Sequence, residues 1–560
     1  MQIRPDNPLI IQGGGKVLLE ARHPRAEEAR DFLGRFAELE ASPELLHTYK
    51  IHPLSLWNAA SAGMGVQEIV DGLRKWSKFD VPADVLQTVQ DTVERYGCLR
   101  LLPHPTEPGR LLRLEFQTGY IQKLVTGAPA LRELLVEDGK RTWAVAPGHR
   151  GIFKQRALQS GWPVEDLAGF HEGAPLGLEL RPTLASNDKP FAPRDYQWEA
   201  ARRWWQDGRP SGGCGVVVLA CGAGKTIVAI AAMALARTRT LILATNQAAC
   251  AQWRRELLDK STLRPEDVAL YTGEEKAIAP VTIATYQILT WRRSKDAAFE
   301  HLHLFEDQDW GLIVYDEVHL LPAPVFGATA SLQGRRRLGL TATLVREDGR
   351  EGDVFALVGP KRYDLPWQVL EDRGFIADTR CTEVRVPFAA ATLERYNRAN
   401  EGEKFRIASS NPAKLKVLDD LLRRHRDDHV LVIGTYVDQL QEIARRTKAA
   451  LITGDTPHAE RERLFAAFRS GALRLLVVSK VANVSIDLPD ANVAIQVSGS
   501  FGSRQEEAQR LGRILRPKKT AASFYTVVTA DTKEQEFALK RQLFLTEQGY
   551  RYQIEERAAG

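Results

Sequence analysis

Val216-Val217-Val218-Leu219-Ala220-Cys221-Gly222-Ala223-Gly224-Lys225-Thr226 decides the fold. An apolar run of strand length turns sharply at two glycines and opens into a helical pattern. Gly222 and Gly224 let backbone N–H groups wrap phosphate oxygens without Cβ clashes. The N-terminus of the following helix adds partial positive charge. Lys225 reaches the β and γ phosphates of a nucleotide, and Thr226 offers its hydroxyl to Mg²⁺. Leu219 stands where the longer G-x-x-x-x-G-K-[ST] word begins with glycine, so the chain carries the shorter G-x-G-K-T. On that word alone, a glycine-rich turn with an incidental Lys-Thr is the alternative.

A second word lies about ninety residues on. Asp316-Glu317-Val318-His319 directly follows the apolar run Leu312-Ile313-Val314-Tyr315. Asp316 at a strand end suits Mg²⁺, usually held through water. Glu317 suits a general base that polarises the attacking water. His319 is placed to sense nucleotide state or to contact a partner domain. The bland alternative, acidic residues capping the next helix, loses force with the lysine loop upstream. The two words together predict an ATP-hydrolysing machine.

Around them, strand-length apolar runs alternate with helical patterns. Val216–Leu219, Leu241–Ala244, Thr282–Thr285, Leu312–Tyr315 and Arg337–Leu340 form one set. Val430–Gly434, Ala449–Thr453, Leu475–Ser479, Val493–Val497 and Ser523–Val528 form a second after about residue 365. Each set is the signature of a doubly wound parallel sheet, so the fold class is α/β with two such domains in tandem and an expected cleft between them. The first 105 residues read as mostly helical after a Pro8–Glu20 hairpin, with helical patterns at Ala26 to Glu38, Ser55 to Gly63 and Ala83 to Tyr96. Residues 110–185 read as a small α/β module, 186–362 as the first large domain and 363–560 as the second.

Composition sets wide bounds. Hydrophobic residues at 44% and charged residues at 26% of 560 suit ordinary globular domains. The net charge of +5 permits a polyanionic partner without demanding one. Five scattered cysteines form no CxxC pair, which argues against zinc-ribbon or iron–sulfur spacing and for a reducing compartment. Met1 to Asp6 leads into no apolar h-region, and no run of about 18 apolar residues occurs. The expectation is a cytoplasmic protein with no membrane partner.

In the second set, Gln509, Gly512, Arg513 and Arg516 fit Q-x-x-G-R-x-x-R on a helix. Arginines three apart share one face, and a guanidinium can stabilise charge on a transferring phosphoryl group. A basic solvated face is the bland alternative.

The order of motifs is similar to that of superfamily 2 helicases and translocases. Arg194, Tyr196 and Gln197 match the adenine-reading motif, and Thr341-Ala342-Thr343 matches the coupling motif. Ile452-Thr453-Gly454-Asp455 with Glu460-Arg461, and Ser479 to Pro489 with Asp487, match motifs of the second domain. Arg346-Glu347-Asp348, directly after the coupling motif, narrows the resemblance to the XPB family of DNA helicases. Gly359-Pro360-Lys361, Ser485-Ile486-Asp487-Leu488-Pro489, the tail Lys540 to Tyr550 and N-terminal words such as His47-Thr48-Tyr49-Lys50 resemble the same family. The resemblance implies two RecA-like domains, with Arg194, Gln197 and Gln509 as nucleotide contacts. His319, Thr341, Thr343, Arg346, Glu347, Asp348 and Asp487 become residues of coupling or DNA contact. It further implies a damage-recognition-like module near 110–185 and a thumb-like insert near 388–406, where Arg395, Arg398, Lys404 and Arg406 are candidate backbone contacts. The implied activity is an ATP-driven 3′→5′ DNA helicase or translocase that acts in DNA repair on single-stranded, tailed or forked DNA.

Translocation requires contacts to the strand's backbone, independent of sequence and sensitive to salt. Candidates lie at Asn246-Gln247, Thr272-Gly273, Thr285-Tyr286-Gln287 and Thr435, each with an equal claim as a turn former. Pro265-Glu266-Asp267 with Glu274-Glu275-Lys276 superficially suggests a metal nuclease, but its place between strand candidates suits DNA contact better, and cutting is assigned to a nuclease partner. The rival reading of the whole chain is a nucleotide-gated clamp that opens DNA locally and recruits that nuclease without processive unwinding.

Overall fold

The computed structural model describes residues 3–41, 45–139, 142–220, 222–294, 297, 299–305, 308–331, 335–342, 350–365, 369–370, 373, 379–479, 491–499, 522–547 and 551–557. The chain divides into two compact units, Met1–Asp364 and Leu365–Gly560, with the short Leu219–Ala223 segment grouped with the second.

The first unit opens on a four-stranded antiparallel sheet in the order Leu9–Gln12, Lys16–Glu20, Leu46–Lys50, Glu38–Ala41. The predicted hairpin is its first pair. Helices Ala26–Leu33, Pro53–Ser61, Val66–Trp76 and Ala83–Glu94 accompany it. Beyond the predicted hairpin, strands Leu46–Lys50 and Glu38–Ala41 extend the sheet within an otherwise mostly helical region. The helix from Ala26 stops at Leu33, and the chain enters the sheet at Glu38, where buried Leu39 lies between half-buried Glu38 and exposed Glu40. That period of two belongs to strands.

The small module is a five-stranded sheet ordered Leu135–Glu137, Trp143–Val145, Leu112–Phe116, Leu99–Pro103, Val164–Asp166. Its sheet starts at Leu99, upstream of the expected 110, because Leu99 and Leu101 alternate inward as a buried strand. It ends at Asp166. Residues beyond it run along the next domain, with Ala174 N–H donating to Asp309 O at 2.9 Å and Leu176 N–H to Arg237 O at 3.0 Å. Helix Arg150–Gln159 docks the module. Gly151 lets it touch the backbone of helix Ala323–Ser331, since a Cβ there would sit 2.5 Å from Ala330 O. Gln155 Nε2 donates to Asp353 Oδ1 in helix Glu351–Leu357.

Next comes a seven-stranded sheet in the order Val268–Tyr271, Val281–Thr285, Thr240–Ala244, Leu312–Asp316, Arg336–Thr341, Cys214–Leu219, Lys361–Leu365. The first six strands pair in parallel. All five predicted strands are present, and their unbroken apolar runs follow from a sheet covered on both faces. The two edge strands were not legible. Val268–Tyr271 is short, and Lys361–Leu365 is half polar.

The second unit holds another seven-stranded parallel sheet, ordered Ala450–Ile452, Leu475–Ser479, Val430–Gly434, Val493–Gln496, Ala522–Thr529, Thr379–Val386, Arg551–Glu556. Its five predicted strands are likewise present. Thr379–Val386 and Arg551–Glu556 were missed because charged residues interrupt them. The region near 388–406 forms two helices, Ala390–Arg398 and Glu401–Ser409, around Tyr396, Ile407 and Ala408. No helix among the described residues is long and apolar enough to cross a membrane.

Candidate functional site

Strand Cys214–Leu219 ends at the glycine loop, and helix Lys225–Ala236 begins directly after it. Gly222 and Gly224 take φ of +83° and +82°, the left-handed region that their lack of Cβ permits. At Gly224 a Cβ would also sit 2.4 Å from Gln197 Nε2. The buried Gln197 is thus pressed against the entrance of the lysine helix. Its Oε1 accepts from the Arg194 backbone N–H at 2.8 Å, and Arg194 Nη1 donates to Tyr196 OH at 3.2 Å. The upstream motif and the glycine loop therefore meet. Thr226 is the second residue of the lysine helix.

Asp316 and Glu317 lie at the end of the neighbouring-but-one strand, across Arg336–Thr341. Lys225 Nζ stands 3.3 Å from Glu317 Oε1. Glu317 holds a left-handed backbone, φ +48° and ψ +57°, which is uncommon for a side chain with a Cβ and marks a constrained turn. His319 Nδ1 lies 2.7 Å from Thr341 Oγ1 and 3.6 Å from Glu317 Oε2. Lysine loop, acidic word and coupling motif form one connected network of side chains.

Two residues outside those words hold Asp316. Trp253 Nε1 donates to its Oδ2 at 2.8 Å, and Tyr286 OH donates to its backbone carbonyl at 3.0 Å. Trp253, on helix Gln247–Lys260, carries no sequence signal beyond that of a core aromatic. Tyr286 belonged to the strand-contact candidates. Its ring is buried and braces the acidic strand instead, because an aromatic after an apolar strand packs inward.

Burial and the adjacent Glu317 charge raise the Asp316 carboxyl above the usual range, against the opposing Trp253 hydrogen bond and Lys225. Burial pushes Glu317 up as well, but Lys225, His319 and the Ala342 N–H outweigh it and hold Glu317 below its ordinary value. Neighbouring carboxyls with opposed shifts suit divided roles. Among the described residues no three His, Cys, Asp or Glu side chains cluster as a metal cage. One carboxylate and one hydroxyl fit Mg²⁺, which keeps much of its water and binds chiefly through phosphates.

The sheet order separates two functions. Glycine loop, Asp316 and Thr341 occupy the ends of strands four to six, while the strand-contact candidates occupy strands one to three. Asn246 caps helix Gln247–Lys260 by accepting from Ala249 N–H at 2.9 Å, and Thr285 caps the next short helix by accepting from Ile288 N–H at 3.2 Å. Buried Thr272 accepts from the Glu274 and Glu275 N–H groups. These side chains hold turns at that end of the sheet. In the second unit, Thr435 N–H donates to Ser498 Oγ at 2.9 Å. Arg461 Nη2 donates to Thr456 O at 3.1 Å, so it holds its own turn. Arg398, Lys404 and Arg406 pair with Glu394, Glu401 and Asp438. Cys221, Thr343, Arg346, Glu347, Asp348, Asp487, Gln509, Arg513 and Arg516 lie outside the described residues.

Comparison with known proteins follows the same division. Residues 370–560 match the family described as ERCC3/RAD25/XPB C-terminal helicase. Residues 190–346 match the type III restriction enzyme res subunit, and residues 9–138 match a helicase conserved C-terminal domain. The chain is 51% identical to the DNA 3′-5′ helicase XPB of Kineococcus radiotolerans, over 98% of this chain and 96% of that one. It is 50% identical to the protein of that name from Mycobacterium tuberculosis, over 98% of each. It is 31% identical to the general transcription and DNA repair factor IIH helicase/translocase subunit XPB/SSL2 of Saccharomyces cerevisiae, over 99% of this chain and 73% of that one.

Proposed function

Because the chain belongs to the XPB family of ATP-dependent DNA helicases, we propose that it moves 3′→5′ along a DNA strand in the cytoplasm, separates duplexes from a single-stranded tail, and serves DNA repair. The observation that carries the reading is the network Lys225–Glu317–His319–Thr341, beside an Asp316 held by Trp253.

Lys225 Nζ stands 3.3 Å from Glu317 Oε1. A triphosphate entering the loop offers Lys225 a stronger partner, since charge-assisted bonds to phosphate outcompete a contact of that length. Glu317 then loses its cation and is free to orient and deprotonate the attacking water. The change at Glu317 reaches His319, and through its hydrogen bond Thr341, the last residue of strand Arg336–Thr341. That route links phosphate occupancy to the segment that runs on to Arg346, Glu347 and Asp348. Arg194 and Gln197 are assigned to the base of the nucleotide. Thr226 and Asp316 are the residues that would hold Mg²⁺, which screens phosphate charge when bound. Gln509, Arg513 and Arg516 are assigned to nucleotide and transferring phosphoryl group, and Asp487 to DNA coupling, from motif order alone.

Matched duplexes bearing a 3′ tail, a 5′ tail or none test the reading, with Lys225→Ala as control. Unwinding from the 3′ tail alone, abolished in Lys225→Ala together with hydrolysis, is expected. Full DNA-stimulated hydrolysis in Lys225→Ala refutes the site assignment. Hydrolysis without strand separation on any duplex replaces the helicase by a local-opening clamp that hands DNA to a nuclease partner.

A further inference from the structure

Trp291 is the only exposed tryptophan among the described residues, at 45%. It begins a run of four exposed residues, Trp291-Arg292-Arg293-Ser294, just past helix Tyr286–Leu289. Its backbone N–H is fixed on Ile288 O at 3.2 Å. Its ring rests against His301, with centroids 5.9 Å apart and planes 41° to one another. His301 is in turn buried, with Nδ1 3.0 Å from Tyr271 OH and its ring edge-on to that of Tyr271 at 5.6 Å. Tyr271 ends the first strand of the sheet. A rigid aromatic pair thus backs the indole at the strand-contact end, two strands from the nearest nucleotide group.

An exposed indole flanked by two arginines offers an aromatic face to a base and cations to its neighbouring phosphates. We propose that Trp291 is a stacking platform for an unpaired base of the translocating DNA strand, with Arg292 and Arg293 facing the flanking phosphates. The inference rests on the DNA helicase reading and adds to it a contact to bases.

Three features favour a base as the occupant. Burial, Lys276 and His303 lower the His301 pKa, so the support behind the indole is uncharged at neutral pH and does not itself draw phosphate. The exposed turn after Tyr271 carries Glu274, Glu275 and Lys276, so it adds no net positive charge to draw phosphate there. On the other side, Arg292 lies 5.3 Å over Phe299, and Arg293 pairs with Glu300 while remaining 78% exposed. Guanidinium groups held this way exchange readily onto phosphate. Stacking on an aromatic is indifferent to base identity, as a translocase requires.

The test is equilibrium binding of a single-stranded oligonucleotide and of a blunt duplex over a range of salt, for the full chain and for Trp291→Ala, Trp291→Phe and Arg292→Ala/Arg293→Ala. Trp291→Ala is expected to weaken single-strand binding about tenfold with an unchanged salt slope, because stacking releases no counterions. Trp291→Phe should recover most of the loss. Blunt duplex, whose bases are already stacked, should bind Trp291→Ala as it binds the parent. The double arginine variant should flatten the salt slope. The proposal is overturned if Trp291→Ala binds single strands like the parent, if Phe is as poor as Ala, or if the loss is equal on blunt duplex. A parent chain that binds neither substrate would instead sink the helicase reading itself.

Discussion

Two lysine–glutamate pairs, one in each unit, use the same chemistry for opposite ends. In the second unit, Lys414 and Glu534 are each 1% exposed. Lys414 Nζ donates to both carboxylate oxygens at 2.7 Å and to Val497 O at 2.9 Å, while Thr529 N–H donates to Glu534 at 3.0 Å. All three ammonium donors are used, and both carboxylate oxygens accept. In the first unit, Lys225 and Glu317 are 12% and 19% exposed, with Nζ 3.3 Å from Oε1. The saturated pair joins helix Ala413–Arg424 to helix Lys533–Glu547 and is architecture. The other pair links the glycine loop's helix to the acidic word and is a site. The two differ in placement and burial: one is sealed between two helices, the other stands part-exposed at the end of the glycine loop.

The sharpest way to break the comparison is at Glu317. Glu317→Gln keeps the shape and removes the base, so kcat for ATP hydrolysis should fall by about 10²–10⁴. Nucleotide affinity should hold or rise, because Lys225 no longer has an anion to leave. A steady-state kcat and a direct ATP-binding titration read the two effects. Wild-type turnover in Glu317→Gln would move the general base elsewhere.

Lys414 gives the opposite expectation. Lys414→Met strands the Glu534 charge and should cost about 3–5 kcal/mol of stability in the second unit, seen as a lower midpoint in denaturant. Lys414→Met with Glu534→Leu should recover part of that loss, though Thr529 N–H loses its acceptor. Lys225→Met, tested alongside, should change thermal stability far less while removing hydrolysis. Equal destabilisation by the two lysine variants would mean that the active-site pair is structural too.

The same distinction shows what was legible beforehand. The glycine loop and the acidic word could be read because their chemistry dictates residue types at fixed spacing after an apolar run. Central strands could be read for a related reason, since a sheet covered on both faces permits little but Val, Ile, Leu and Ala. Edge strands such as Lys361–Leu365 and Arg551–Glu556 escaped because solvent on one side removes that restriction. Gln197 was assigned from its motif, yet its contact with Gly224 depends on two helices packing side by side. Trp253 was invisible as a site residue, and Tyr286 was read as a strand contact, not as a support for Asp316. Their hydrogen bonds to Asp316 span 63 and 30 positions of sequence, and a tryptophan on a helix reads as core wherever it lies.

Trp253 therefore supplies the finest test of the site. Asp316 must be ionised to hold a cation, and its pKa is already raised by burial and by Glu317, against a hydrogen bond from Trp253 that favours the charged form. Activity should accordingly fall as pH drops through that raised value. Trp253→Phe removes the donor, destabilises the carboxylate further and moves the acid limb of the kcat profile to higher pH. The loss should reach roughly tenfold below the limb, about the size of one hydrogen bond to a charged group, and nearly vanish on the alkaline side. Tyr286→Phe separates this effect from disturbed packing. Its hydroxyl donates to the Asp316 backbone carbonyl rather than to the carboxylate, so its acid limb should stay where the parent's lies. A shift of equal size in both variants would trace the limb to the posture of the strand and not to the charge on Asp316.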